Sequence, residues 1–172
     1  MIKREENQYM VGENNDLNKL PFKIPKYKTY PLNTAINGIL KAYGDDEVWL
    51  YNNYISLWIY ALRQRKEYMV DFKYDMDINY YEYCPMLKAE IIEVGKTDNI
   101  IDIIKDSIDN EKYIFLEVDT YFIDLWWDDV GEKIHCEHQM LILGYDSAKK
   151  VIFGADFFKQ TFSIQEISYL NF

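Results

Sequence analysis

The segment Glu137–Phe158 constrains this chain more than any other. Two apolar runs of strand length, Glu137–Tyr145 and Val151–Phe158, flank the polar break Asp146–Lys150, the pattern of two antiparallel strands joined by a turn. Both histidines of the chain, His135 and His138, lie at the entrance to the first run. Alternation along a strand puts Cys136, His138, Met140 and Ile142 on one face and His135, Glu137, Gln139 and Leu141 on the other. Across the turn, Asp156 stands at a similar height to His138. A carboxylate bonded to an imidazole fixes its tautomer and raises its basicity, as a general base requires. The plainer alternative is a hydrogen-bonded histidine at a strand end with an acidic neighbour.

Upstream the pattern is helical. Ile36, Ile39, Leu40 and Tyr43 recur at helical spacing, Pro31 suits a first helical position, and Gly44 suits the stop. A second helix is expected over Val48–Arg65, with Trp49, Asn52 or Asn53, Leu57, Tyr60 and Ala61 on its core face. Tyr68–Tyr83 reads as strand and irregular connection. Thr97-Asp98 reads as a cap for an amphipathic helix through Ile100, Ile101, Ile103, Ile104 and Ile108, ended by Asp109-Asn110. Tyr113–Asp119 reads as a strand and Tyr121–Lys133 as a loop or flap carrying Trp126 and Trp127. Ser163 and Glu166 form a capping-box pattern that predicts a short terminal helix. Residues 1–20 are expected to form a polar arm ahead of a single domain over residues 21–172. Helices followed by an antiparallel meander make the expected class α+β.

Composition narrows the partners. The formal net charge is −10 over 172 residues, which disfavours nucleic acid and anionic membrane surfaces and suits an amine-bearing substrate or a basic protein patch. The same charge is also that of an ordinary solvated surface. No apolar run approaches the roughly 20 residues of a membrane span, and the first residues lack an apolar signal-peptide core. A cytoplasmic protein is expected. The cysteines Cys84 and Cys136 are too few for a disulfide framework.

His138–Asp146 followed by Val151–Asp156 resembles the second half of papain-like bacterial domains, in particular bacteriocin-leader peptidases and butirosin-biosynthesis-type acyltransferases. In those families a histidine opens a strand ending in a Gly-Tyr-Asp-like turn, and an Asp or Asn on the next strand orients it. The resemblance spans about Pro25–Phe172 and implies N-terminal helices packed on an antiparallel sheet, catalytic roles for His138 and Asp156, and no cofactor. It also implies a cysteine opening the first helix, thirteen residues before a Tyr-Gly-like stop. Counted back from Gly44, that place is held by Pro31, which has no thiol. A slipped register would offer Asn33, Thr34 or Ala35, none of them a thiol either.

Cys136 shares a face with His138 but lies roughly 6–7 Å along the strand, and Cys84 has no evident partner. A zinc site from His135, Cys136 and His138 lacks a fourth ligand and a common face. Tyr30, Trp126 and Trp127 are the candidate binding residues; Asp119, at a strand end, is a weaker one. Three functions follow from the resemblance. One is a cysteine-less binding or accessory module of peptide or specialised-metabolite biosynthesis. Another is an acyltransferase forming an amide from a carrier-protein thioester with a His/Asp pair, with a carrier protein, a peptide synthetase or an amine-bearing small molecule as partner. A cysteine peptidase comes last.

Overall fold

The computed structural model describes residues 16–28, 30–53, 57–62, 67–72, 84, 86–93, 99–126 and 133–172. The chain forms two compact units, one of Met1–Leu20 with Asn99–Phe172 and the other of Pro21–Asp98. The class is α+β, and its main sheet is antiparallel. Among the described residues no helix is long and apolar enough to cross a membrane.

In the first unit the order is β1 (Leu17–Lys19), α3 (Ile100–Asp109), β4 (Ile114–Asp119), β5 (Glu137–Asp146), β6 (Val151–Phe158) and β7 (Thr161–Ser168). β5 is the hub. Along one edge it pairs with β6; along the other, β4 takes its first half and β1 its second. The end of the expected N-terminal arm is thus a strand of the sheet. Gly144 admits it, because a Cβ there would collide with the Asn18 carbonyl of β1. Tyr145 and Asn18 then both donate to the Asp109 carboxylate at the end of α3, at 2.7 and 2.8 Å. Ile104 and Ile108 of α3 are fully buried and form one core with Met140, Ile142, Ile152, Phe158 and Ile167 of the sheet. Burying side chains of this size stabilises by about 1.5–3 kcal/mol each.

The carboxy-terminal expectation was wrong. Ser163 and Glu166 do not open a helix; they lie in β7, which pairs with β6 from Val151↔Ser168 to Phe158↔Thr161. Lys159 and Gln160 make the two-residue turn, both with positive φ (48° and 65°). That backbone suits the right-handed twist of a hairpin but usually carries Asn-Gly, so the turn signal was missing. A capping-box spacing also occurs in strands, and Phe162 and Ile167, both buried, commit the segment to the sheet.

In the second unit, α1 (Pro31–Tyr43) has the expected bounds, with Gly44 at φ 83° as its left-handed stop. Ile36, Ile39 and Leu40 are buried, whereas Tyr43 is half exposed. Gly38 lets the Phe22 ring lie against the helix. α2 (Asp46–Asn53) is shorter than expected and gives way to β2 (Leu57–Leu62), which pairs with β3 (Glu67–Phe72) from Leu57↔Phe72 to Leu62↔Glu67. The helical reading of Val48–Arg65 therefore fails beyond Asn53. Leu57, Tyr60 and Ala61 fit helical spacing, but a short apolar run rich in Trp, Ile and Tyr serves a strand equally well. Trp49 is buried with Ile36, Leu40 and Cys84, as its place on a core face required. The expected cap at Thr97-Asp98 lies outside the described residues; α3 begins after Asn99, whose side chain makes no capping bond.

Candidate functional site

The hairpin register decides which side chains meet. Leu141 faces Ala155 across β5 and β6, so the same count sets Met140 against Asp156 and His138 against Phe158. His138 and Asp156 are then diagonal neighbours on one face, within reach of an imidazole. His138 Nε2 lies 2.5 Å from Asp156 Oδ2. The carboxylate is fully buried and the histidine side chain 32% exposed.

A third group joins them. Trp126, at the end of the two short 3-10 turns that follow β4 (Thr120–Phe122 and Asp124–Trp126), donates its indole Nε1–H to the same Oδ2 at 2.9 Å. Its ring meets the His138 ring edge-on at 5.2 Å and packs on Phe158 at 5.1 Å. The indole nitrogen can only donate, so Oδ2 accepts there, and its contact with His138 is satisfied by the imidazole Nε2–H. In the neutral ring the lone pair is then on Nδ1, which has no hydrogen-bond partner among the described residues. Asp156, Trp126 and the register together produce a half-exposed imidazole of one tautomer with a free basic nitrogen. Asp156 Oδ1 is buried without a hydrogen-bond partner among the described residues.

The Trp126–Asp156 bond joins residues far apart in sequence, and nothing in the sequence announced it. Trp126, a candidate binding residue, has its indole N–H engaged by this carboxylate. Trp127 lies outside the described residues. Tyr30 is the exposed residue before α1, its carbonyl accepting from Thr34 N at 2.9 Å. Pro31 holds the first helical position, so the place counted back from Gly44 has neither a thiol nor a backbone N–H. Asn33, Thr34 and Ala35 are all buried.

Both cysteines are free thiols. Cys84 sits in the core of the Pro21–Asp98 unit, and burial pushes its thiol pKa up, away from the thiolate a nucleophile needs. Cys136 is exposed, and its thiol donates to the Glu137 carbonyl at 3.5 Å rather than to an imidazole.

A second His/Asp pair lies at the same end of the sheet. His135 Nδ1 is 2.7 Å from Asp119 Oδ2, and the His135 ring stacks on Tyr121 with centroids 4.1 Å apart. Asp119 Oδ1 accepts from the backbone N–H of Tyr121 and of Cys136. The His135 bond first, and the Tyr121 N–H second, hold the Asp119 carboxyl below the usual carboxylate range. The two histidines are thus drawn to different carboxylates. Asp119 faces Glu137 while Val118 faces His138, so the pairs stem from opposite faces of the sheet. Among the described residues no group of three or more His, Cys, Asp or Glu could hold a metal ion.

No family model, curated protein or solved structure matches this chain.

Proposed function

We propose that the chain is a papain-like domain of a peptide or specialised-metabolite pathway in which His138 works as a general base without a protein thiol. An amine attacks the carbonyl carbon of a thioester delivered on a carrier protein, and the carbon–sulfur bond breaks. His138 Nδ1 takes the proton from the attacking nitrogen and returns it to the leaving sulfur, so the products are an amide and a free thiol. One observation carries the reading: a fully buried carboxylate holds a half-exposed imidazole through Nε2 and leaves Nδ1 free. Burying an ionised group costs several kcal/mol unless it is paired, an expense a merely structural strand-end histidine would not need. The net charge of −10 suits an amine substrate, and such work fits a cytoplasmic protein beside a peptide synthetase.

The test is aminolysis of a small acyl thioester, acyl-N-acetylcysteamine, by a primary amine in the presence of the full chain. His138→Ala should abolish amide formation with the far-ultraviolet spectrum unchanged. Equal rates for variant and wild type would sink the reading.

A second reading is the binding or accessory module. Pro31 at the first turn of α1 favours it, because a scaffold stripped of its nucleophile has less reason to retain chemistry. That reading expects a carrier protein or peptide synthetase to be retained on the immobilised chain, with Trp126→Ala weakening retention and no thioester turnover.

A further inference from the structure

Asp156 has one oxygen well supplied and one left over. Oδ2 takes Trp126 and His138, while Oδ1 is buried without a donor among the described residues. A buried acceptor left unsatisfied costs about 1–3 kcal/mol, and more when charged. The register identifies where a donor can come from. In β7 the residue directly opposite Asp156 is Ser163, and directly opposed residues share a face with Cβ atoms about 4.5–5.5 Å apart. Of the other neighbours on that face, Met140 and Phe158 are apolar, Gly154 has no side chain, and the diagonal Thr161 is exposed beside the hairpin turn. Gln165 is diagonal to Asp156, and its amide Nε2 donates to Ser163 Oγ at 3.0 Å. That bond occupies a lone pair of the hydroxyl and leaves its hydrogen free to point elsewhere.

We propose that Ser163, oriented by Gln165, is a positioning residue whose hydroxyl donates to Asp156 Oδ1 across one bridging water. Gln165, Ser163, Asp156 and His138 then form a relay across three strands, with Trp126 as the second donor to the carboxylate. Each member fixes the next: the amide aims the hydroxyl, the hydroxyl stops the carboxylate from rotating, and the carboxylate holds the imidazole as its Nε2–H tautomer. Outer partners of metal-bound histidines change activity by about 10–100-fold when removed, and an effect of that order is expected of this relay. The activity arm rests on the general-base reading above; the spectroscopic arm does not.

The experiment compares wild type, Ser163→Ala, Ser163→Thr and His138→Ala by nitrogen-15 imidazole spectra and by aminolysis of acyl-N-acetylcysteamine. Ser163→Ala should mix the two neutral tautomers of His138 and lower kcat by about 10–100-fold with KM unchanged, and Ser163→Thr, which keeps the hydroxyl, should restore both. His138 signals in Ser163→Ala identical to wild type would overturn the role of Ser163, whatever the rate. If those signals change but His138→Ala leaves turnover untouched, Ser163 keeps its role and the general-base reading falls.

Discussion

Replacing Trp126 with Phe isolates one bond. The phenyl ring can still pack on Phe158 and meet His138 edge-on, but the Nε1–H that donates to Asp156 Oδ2 at 2.9 Å is gone. Asp156 is fully buried, so bulk solvent does not reach Oδ2 to replace the lost donor. A hydrogen bond to a charged group contributes about 1.5–3 kcal/mol. For a chain of this size 1 kcal/mol moves Tm by about 2–4 °C, so Trp126→Phe should lower Tm by roughly 3–12 °C. The same substitution in an Asp156→Leu background has no carboxylate to lose and costs only the packing of the smaller ring, leaving the difference as the coupling. Calorimetry on the four proteins measures it. A Tm drop below about 1 °C in the single variant, or equal drops in both backgrounds, would refute the claim that the indole holds the carboxylate.

Three further outcomes follow from packing and charge. Gly154→Ala places a methyl 2.6 Å from Met140 Sδ and 2.7 Å from Ile167 Cδ1; overpacking of this kind costs about 1–3 kcal/mol, visible as a lower urea midpoint with unchanged slope. Burial, and then the hydrogen bond to Asp109, push the Tyr145 hydroxyl pKa up to about 12. The folded value lies above the unfolded one, so its contribution is full below pH about 10 and is lost as pH rises through about 12; Tyr145→Phe should remove that part of the alkaline decline. Asp119 behaves oppositely. Its lowered pKa, due first to His135, supports the fold above the unfolded carboxylate value and stops doing so as pH falls through the folded one, so His135→Ala should raise the acid-unfolding midpoint.

What the sequence disclosed and what it concealed divide along physical lines. Pro31 and Gly44 bound α1 because proline and glycine each have one strong local preference. The strands β5 and β6 and their turn were legible from apolar runs around a polar break, and the His138–Asp156 pairing followed from strand geometry. β2 was not legible, since Leu57–Leu62 is apolar at every position and has no period to separate strand from helix. Nor was β7, whose turn uses Lys159 and Gln160 at positive φ where a glycine would have announced it. The grip of Trp126 on Asp156 depends on how a turn returns over a sheet, which no local pattern encodes.

The most direct test of the central claim is the tautomer of His138 in the wild-type chain, read from nitrogen-15 and proton correlations of the imidazole at a pH where the ring is neutral. Hydrogen bonding of Nε2 to Asp156 requires the proton on Nε2 and the lone pair on Nδ1. A single Nε2–H species that disappears in Asp156→Leu is the expected result. A proton resident on Nδ1, or an even mixture of the two forms, would contradict it.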